Sequence, residues 1–343
     1  MKKVKVAVVI LNWNGAGMLR QFLPSVLLNS QGEGVEVVVA DNASTDDSRS
    51  VVETEFPDVR LIKLDKNYGF AEGYNKALEL VDAEYAVLLN NDVETGKNWL
   101  QPMVKYLDTH ADVAACQPKI LNWRVKTRFE YAGAAGGLID RYGYPFCRGR
   151  VLDEVEEDRG QYDDAMPVFW ASGAALLIRL AIYKEVGGLD GRFFAHMEEI
   201  DLCWRLRSRG YRIVCLPLCE VYHVGGATLK KDNPHKTFLN FRNNLLMLYK
   251  NLPQDELKPV MRIRKGLDYL AVCFFFLRGE GASARAVLQA RREYATMRPQ
   301  FEADRKENIR KSVCVDIRER YSFSLLWLVK MKGKKTFTEL VGQ

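Results

Sequence analysis

Two acidic motifs about a hundred residues apart carry the residue types that could do chemistry. The first motif follows an apolar run at residues 85–89 and consists of Asn90, Asn91 and Asp92. Amide and carboxylate oxygens are hard ligands, and open α/β sheets place their ligands at the carboxyl ends of the strands. The motif therefore predicts a site for Mg²⁺ or Mn²⁺ bound to a nucleotide diphosphate.

The second motif lies at residues 196–205 and contains the carboxylates Glu198, Glu199 and Asp201. Neighbouring carboxylates raise each other's pKa, which brings a general base closer to working pH. On a helix Asp201 and Arg205 share a face. We predict that Glu199 is the base, with Asp201 as its rival or as the orienting partner of Arg205. The alternative is an acid-rich helix start with only a structural role.

Alternating strands and helices are expected to position the first motif. Short apolar runs at residues 4–11, 35–40, 59–64 and 85–89 are each followed by a helical pattern or a turn signal. Continuous apolar strands separated by helices predict a parallel sheet that is covered on both faces. Asp41 follows the second run, so its carboxylate is expected at the same edge of the sheet.

Seven segments resemble, in order and spacing, the family 2 glycosyltransferases of the GT-A fold, particularly the bacterial rhamnosyltransferase-like branch. They lie at residues 12–15, 41–46, 67–75, 90–92, 170–174, 198–205 and 222–226. The resemblance covers roughly residues 4–250. It implies an α/β GT-A fold, which is a Rossmann-like, mixed and mainly parallel sheet with flanking helices, followed here by a C-terminal helical region.

The resemblance also implies roles for individual residues. The nucleotide or donor would be bound by Asn12, Asn14, Asp41, Asn67, Gly69, Asn75, Asn90 and Asn91. Asp92 and His223 would hold a divalent metal ion, Glu199 and Asp201 would be catalytic, and Trp170 and Glu198 would contact the acceptor. Alternatively, His223 and Trp170 are packing residues. Glu199 departs from the family, which usually has Asp there.

The implied activity is that of an inverting enzyme that moves one sugar from a nucleotide-sugar to a cell-surface glycan or a polyprenyl-linked acceptor. The branch implies dTDP-rhamnose as donor, and UDP-glucose and UDP-galactose are alternatives. A catalytically inactive nucleotide-sugar-binding scaffold is one rival. A nucleotidyltransferase is another, although residues 12–15 lack the basic phosphate loop that it would need.

Charge divides the 343 residues unevenly, because residues 230–343 contain 24 Lys and Arg against 12 Asp and Glu. We expect a catalytic domain at residues 1–229, with a nucleotide-sugar part at 1–95 and an acceptor part at 96–229, and a basic helical region at 230–343. Helical patterns at residues 236–251, 257–277 and 282–297 suit an anionic membrane surface. The alternatives are a helical cap or a homo-oligomer contact.

Composition narrows the remaining classes of function and location. The basic region has no zinc-finger spacing and no helix-turn-helix signature, so no nucleic-acid partner is expected. The seven cysteines form no Cys-x-x-Cys pair, which fits a reducing cytosol. No signal sequence is recognised before the first strand. We therefore expect a cytoplasmic protein that is peripheral on the inner membrane.

Overall fold

The computed structural model describes residues 4–225 and 233–342. The strands are β1 (Val6–Asn12), β2 (Val35–Asp41), β3 (Arg60–Lys63), β4 (Tyr85–Asn90), β5 (Val93–Thr95), β6 (Val113–Asn122), β7 (Gly137–Asp140), β8 (Pro145–Cys147), β9 (Arg150–Val151), β10 (Glu154–Val155), β11 (Met166–Pro167), β12 (Ala175–Arg179), β13 (Arg212–His223) and β14 (Arg320–Tyr321). The helices are α1 (Ala16–Asn29), α2 (Ser48–Glu55), α3 (Gly69–Glu79), α4 (Gln101–Thr109), α5 (Leu180–Glu185), α6 (Glu198–Ser208), α7 (Pro234–Asn251), α8 (Gln254–Leu277), α9 (Gly281–Met297), α10 (Glu302–Lys311), α11 (Leu325–Lys332) and α12 (Phe337–Val341).

A nine-stranded mixed sheet forms the centre of the molecule, in the order β11-β13-β6-β12-β4-β1-β2-β3 with β5 paired to β13. The four strands expected from the sequence are β1 to β4, and β1 pairs in parallel with both β2 and β4. The side chains of β1 and β4 are buried on both faces of the sheet, against two hydrophobic clusters, whereas β3 is an edge strand with exposed Arg60 and Lys63. Continuous apolar runs are therefore stable here as central parallel strands.

The other half of the sheet contains antiparallel pairs, because β12 runs against both β4 and β6. This gives the mixed, mainly parallel sheet that the resemblance implies. A second, five-stranded sheet has the order β10-β9-β8-β7-β14. Its strands β7 to β10 come from the stretch between β6 and β11, whose short runs gave no strand prediction.

The register of the sheet brings candidate site residues to one edge. Asn12 at the end of β1 is paired with Asp41 at the end of β2, and Leu11 is paired with Asn90 at the end of β4. All three strands run in the same direction, so their carboxyl ends meet. The polar ends of these apolar strands thus face one cleft, where α/β sheets bind ligands.

The predicted basic helices are present as α7, α8 and α9. The apolar run at residues 323–329, near the end of the basic region, contributes most of α11. The predicted boundary between residues 229 and 230 and the glycine at position 226 lie outside the described residues. Leu245, Leu246, Met247 and Leu248 of α7 belong to the same hydrophobic cluster as Trp204 of α6. Helix α7 therefore shares the core of the sheet domain.

The carboxyl half of α8 presents an exposed apolar surface. Phe276 is 73% exposed and Leu277 is 85% exposed, and Leu270 and Phe274 are also exposed. In the part of the chain that the structure describes, no helix combines the length and the apolar character needed to cross a bilayer. The exposed apolar surface of α8 is thus concentrated in the carboxyl-terminal part of this helix.

Candidate active site

The loop after β1 is fixed against the loop after β2. Ser44 Oγ accepts a hydrogen bond from the backbone N–H of Asn14 at 2.9 Å, and Asn14 Oδ1 accepts one from the Thr45 N–H at 2.7 Å. Asn91 Nδ2 donates to Asn12 Oδ1 at 2.8 Å, directly above Gly15, where an added Cβ would meet both side chains. Asn12, Asn14 and Asn91 therefore form one connected layer at the sheet edge.

Asp41 is 1% exposed, and only one of its two carboxylate oxygens accepts hydrogen bonds. Its Oδ2 accepts from Arg49 Nε at 2.5 Å and from the Ser44 N–H at 3.1 Å. Its Oδ1 is buried and has no hydrogen-bond partner. A buried carboxylate oxygen without a donor is costly. A ligand N–H or O–H placed at this edge would remove that cost.

The segment before α3 uses its polar groups within the fold. Asn67 Oδ1 accepts from Asn42 Nδ2 at 3.0 Å and from the Gly69 N–H at 2.8 Å. Gly69 has φ +73°, and a Cβ at that position would collide with the Phe194 ring. Asn67 and Gly69 thus shape the start of α3 beside the cleft, whatever they contact in a complex.

Asn75 is also occupied by the fold. Its Nδ2 donates to the Leu189 carbonyl at 2.8 Å, and its Oδ1 accepts from Tyr183 Oη at 2.6 Å and from the Leu189 N–H at 3.1 Å. These bonds attach α3 to the loop before α6. The described contacts give Asn75 a structural role, and nucleotide binding by this side chain stays a prediction.

Asp92 and His223 form the centre of the polar cluster beyond β4. Asp92 Oδ1 lies 3.1 Å from His223 Nε2, and Asn90 Nδ2 lies 3.3 Å from the same nitrogen. Burial alone would raise the pKa of Asp92, but the adjacent His223 outweighs it, and the net pKa is lowered. Burial alone would lower the pKa of His223, but Asp92 and Glu130 raise it to about 10. The two predicted metal ligands therefore converge.

A third carboxylate, which the sequence did not single out, lies on the other side of the imidazole. Glu130 is 4% exposed and its Oε2 is 3.3 Å from His223 Nδ1. A Cβ at Gly225 would collide with Glu130 Oε1, so the glycine lets the two segments approach. Metal-binding histidines commonly have a carboxylate on the second ring nitrogen. The arrangement of Asp92, His223 and Glu130 fits that pattern.

These residues fit a divalent cation that is shared with a ligand. Asp92 offers a carboxylate oxygen, and His223 would offer a ring nitrogen once the ion displaces its proton; both are donors that Mn²⁺ accepts. Within residues 4–225 and 233–342, no group of three or more His, Cys, Asp or Glu side chains is arranged as a complete metal site. Asp92 and His223 would therefore hold the ion only together with diphosphate oxygens or water.

Glu199 lies in the first turn of α6 with properties that suit a base. Burial raises its pKa to about 6, against the backbone N–H groups of Met197, Glu199 and Ile200, which favour the charged carboxylate. Its Oε2 has no hydrogen-bond partner. A carboxylate with this pKa is mostly ionised at neutral pH and can still accept a proton.

Glu198 lies beside Glu199 and is also buried. It is 4% exposed, its Oε2 has no hydrogen-bond partner, and burial together with the Glu199 charge raises its pKa well above the ordinary value. Burial therefore favours the protonated form of this side chain. Acceptor contact by Glu198 stays a prediction from the resemblance.

Asp201 is surrounded by cations on the inner side of α6. Its Oδ2 lies 2.9 Å from Arg205 Nε and 2.8 Å from Lys250 Nζ, and its Oδ1 accepts from Asn251 Nδ2 at 2.7 Å. Burial alone would raise the pKa of Asp201, but Lys250 and Arg205 lower it. Because the carboxylate is fully buried and both its oxygens are in use, the structure argues against Asp201 as a base and favours the pairing with Arg205.

Substituting Asp201 by Asn should strongly destabilise the protein. It leaves Arg205 and Lys250 without their shared counter-charge, and breaking a buried ion pair in this way costs about 3–5 kcal/mol. Urea unfolding would measure the loss. Asp304→Asn is a matched control, because that carboxylate pairs with Arg192 at 39% exposure and should cost below about 1 kcal/mol. Equal stability of the two variants would contradict the structural role of Asp201.

Trp170 corrects one expectation, because the structure places it in the core and not on an acceptor surface. It is 3% exposed, its Nε1 donates to the Leu138 carbonyl at 2.9 Å, and its ring lies against the space where Gly137 lacks a Cβ. A sugar cannot stack on a face that is covered by backbone. Trp170 is therefore a packing residue, which was the alternative to acceptor contact.

The candidate base and the Asp92–His223 pair both lie near the start of β12. The Asn90 N–H donates to the Ala174 carbonyl at 3.0 Å, and a Cβ on Gly173 would contact both Phe70 and Glu199. Residues 172–174 therefore contact both acidic motifs. Glu199 lies next to Gly173, and Asn90, which is in contact with His223, lies next to Ala174.

Sequence reasoning missed three residues that support the site. Arg49 holds Asp41, Glu130 faces His223, and Asn243 of α7 contacts the segment before α6. Only Asn243 carried a local signal, because two adjacent asparagines are poor helix formers in the middle of an apolar helix. The other two contacts depend on tertiary structure.

Comparison with known proteins finds similar sequences. The model of the family "Glycosyl transferase family 2" matches residues 7–147. The N-acetylglucosaminyl-diphospho-decaprenol L-rhamnosyltransferase of Mycobacterium tuberculosis is 28% identical over 243 residues, which are 66% of this chain and 78% of that protein. Rhamnosyltransferase WbbL of Escherichia coli is 26% identical over 165 residues, which are 46% of this chain and 61% of that protein.

A solved structure shows the same fold at lower identity. The mannosyltransferase PcManGT of Pyrobaculum calidifontis, in complex with GDP-Man and Mn²⁺, has a TM-score of 0.53 and 16% identity, and the match covers 90% of this chain and 84% of that one. This likeness identifies the GT-A fold. The protein thus combines this fold with an acidic cluster at the ends of the strands.

Proposed function

We propose that this chain, whose residues 7–147 match the model of glycosyl transferase family 2 and which is similar to rhamnosyltransferases, is an inverting enzyme that adds one sugar to a cell-surface glycan or a polyprenyl-linked acceptor. The observation that carries the proposal is that Glu199 and Asn90, which is in contact with His223 of the Asp92–His223 pair, both lie against residues 172–174. A base and a leaving-group site must face each other across the anomeric carbon for inversion.

The residues at the sheet edge support binding of a nucleotide diphosphate. The free oxygen of Asp41 suits an N–H or O–H of the nucleoside, and the asparagine layer of Asn12, Asn14 and Asn91 suits its polar groups. Asp92 and His223 would hold a divalent cation at the diphosphate. When bound, such an ion stabilises the charge that develops on the leaving group.

Glu199 accounts for the acceptor side of the reaction. Its unpartnered Oε2 would accept the proton of the acceptor hydroxyl as that oxygen attacks the anomeric carbon. The sugar–oxygen bond to the diphosphate breaks on the opposite face, and the diphosphate leaves with the electron pair. The raised pKa of Glu198 disfavours a second negative charge next to the base.

Turnover of a nucleotide-sugar panel tests the proposal directly. Wild-type protein would be incubated with dTDP-rhamnose, UDP-glucose or UDP-galactose, with Mn²⁺ or with EDTA, and with a polyprenyl-diphosphate-linked N-acetylglucosamine acceptor. We expect nucleoside diphosphate release and a lengthened glycan with dTDP-rhamnose and Mn²⁺. Binding of a donor without transfer to any acceptor would favour the inactive scaffold instead.

We further propose that the exposed end of α8 contacts an anionic membrane, where a lipid-linked acceptor would reside. Residues 269–277 carry no charge and expose Leu270, Phe276 and Leu277, and the flanking Lys265 and Arg278 are exposed as well. Apolar side chains flanked by cations suit the interface of an anionic bilayer. The same surface would also suit a second copy of the chain, which the experiment below distinguishes.

Replacing both Phe276 and Leu277 by Ser should weaken sedimentation with phosphatidylglycerol vesicles at least tenfold. Each side chain contributes about 1.5–3 kcal/mol when it is buried in an apolar phase. Leu218→Ser is the control, because that residue is 84% exposed on β13 and lies outside the α8 surface. Dimerisation that depends on Phe276 and Leu277, without vesicle binding by wild type, would overturn the membrane proposal.

A further inference from the structure

Three residues with positive φ lie immediately before the candidate base. Phe194 has φ 66°, His196 has φ 71° and Met197 has φ 72°, and none of them is glycine. Such conformations cost free energy and persist only where the surroundings impose them. Because Glu198 and Glu199 follow directly, the position of the base depends on whatever holds this segment, which we call the 193–197 segment.

Asn243 of α7 supplies much of that restraint. It is 0% exposed, and its Nδ2 lies 2.9 Å from the Phe193 carbonyl, 2.8 Å from the Ala195 carbonyl and 2.8 Å from the His196 carbonyl. One amide group thus donates to three carbonyl oxygens of the strained segment. Arg242 Nη2 donates to the Phe193 carbonyl at 3.1 Å as well.

The segment also connects the base to the donor side of the cleft. The Phe194 carbonyl accepts from the N–H groups of Phe70 at 2.8 Å and Ala71 at 3.2 Å, at the start of α3. A Cβ at Gly69 would collide with the Phe194 ring. A shift of the 193–197 segment would therefore move the start of α3 and the start of α6 together.

We propose that Asn243 is a positioning residue, which holds the 193–197 segment in its strained conformation and thereby places Glu199 for proton transfer. Helix α7 would in this way be part of the catalytic apparatus and not only a link to the basic helices. The inference concerns the position of Glu199 and rests on the proposed function only where turnover is used to test it.

Asn244 provides a matched control on the same helix. It is 4% exposed, and its Nδ2 donates to the Gly143 carbonyl at 2.6 Å while its Oδ1 accepts from Arg264 at 2.7 Å. Asn243→Ala and Asn244→Ala each remove a buried, hydrogen-bonded amide from adjacent positions. The first change removes three bonds to carbonyl oxygens of the 193–197 segment, whereas the second removes only a 3.9 Å contact with the Met197 sulfur.

Hydrogen exchange measured by mass spectrometry tests the restraint without any need for turnover. In Asn243→Ala we expect the amides of residues 70 and 71 to exchange at least tenfold faster, because their acceptor, the Phe194 carbonyl, is released. In Asn244→Ala their exchange should match wild type. Unchanged exchange in Asn243→Ala, or equal acceleration in both variants, would overturn the inference.

Kinetics then tests the consequence for the base. At saturating donor, on the pH plateau of kcat, we expect Asn243→Ala to lower kcat at least tenfold and Asn244→Ala to leave kcat near wild type. In Asn243→Ala, the pH at which kcat/KM is half its maximal value should move from about 6 towards the ordinary glutamate pKa of 4.5, because the Glu199 side chain becomes less buried. The titratable neighbours Glu198 and Cys203 are the same in all variants.

The outcomes separate the inference from the proposed function. Wild type that turns over no donor would defeat the proposed function, while the exchange result would still decide the role of Asn243. An equal loss of kcat in both variants, without a shift in the acidic limb of the pH profile of kcat/KM, would mean general packing damage and would contradict the positioning role of Asn243. If Asn243→Ala does not fold by circular dichroism, Asn243→Ser, which keeps one donor, is measured by the same criteria.

Discussion

Glu199→Gln is expected to lower kcat by about 10²–10⁴-fold, the usual contribution of general base catalysis, and to leave donor binding unchanged. The amide has the size of the carboxylate but cannot accept the acceptor proton. The measurement is single-turnover transfer with saturating donor, together with the donor Kd from calorimetry. Because the raised pKa of Glu199 is about 6, kcat/KM of wild type should also fall as the pH is lowered through 6, where the base becomes protonated.

Glu198→Gln is the matched control for this experiment. Glu198 is adjacent and equally long, and burial together with the Glu199 charge raises its pKa well above the ordinary value, which favours its protonated form. Its amide analogue should therefore change kcat by less than tenfold. If Glu198→Gln were the inactive variant and Glu199→Gln retained full turnover, the two glutamates would have exchanged roles, and the base would be Glu198.

Asp92→Asn is expected to weaken metal-dependent donor binding by about 10²–10³-fold, or roughly 3–4 kcal/mol. The change removes the negative charge that would hold the cation and leaves His223 facing an amide. Calorimetric titration of dTDP-rhamnose in the presence of Mn²⁺ would measure the affinity. The same titration of dTDP-rhamnose in the presence of EDTA gives the metal-independent affinity, which should be the same in wild type and variant.

Glu94→Gln controls for the loss of an acidic side chain near the end of β4. Glu94 lies two residues further on and is bound to Trp123 Nε1 and to Lys126, away from His223. Its substitution should leave the Mn²⁺-dependent affinity within about twofold of wild type. A wild-type affinity in Asp92→Asn would remove Asp92 from the metal site and leave its pairing with His223 as a structural contact.

Much of the fold was predictable because its central strands are locally specified. Residues 4–11, 35–40 and 85–89 are continuous apolar runs, and each forms a strand whose polar terminal residue reaches the cleft. The meeting of Asn12, Asp41 and Asn90 follows from the parallel direction of these strands. Antiparallel β12 and the second sheet were not predictable, because short strands are defined by their partners.

The site was only partly predictable for the same reason. Trp170 and Asn75 have the types and positions expected of ligand-binding residues, but tertiary contacts with Leu138 and Leu189 use their polar groups. No local pattern marks Glu130, which reaches His223 from a loop 93 positions earlier in the chain. Sequence position shows which residues lie at a strand end, whereas burial and partners decide which of them remain free.

The contacts of α7 have a consequence for how the chain could be re-engineered. Asn243, Lys250 and the apolar residues of α7 complete the interior around α6, so a cut at the change in charge near residue 230 would remove part of the enzyme's interior. The residues after Asn251 belong to the same interior, because Phe301, Leu325 and Phe337 share the hydrophobic cluster and β14 pairs with β7. A chimaera that exchanges basic tails between related proteins would therefore have to preserve the contacts that α7 and the following helices make with the sheet domain.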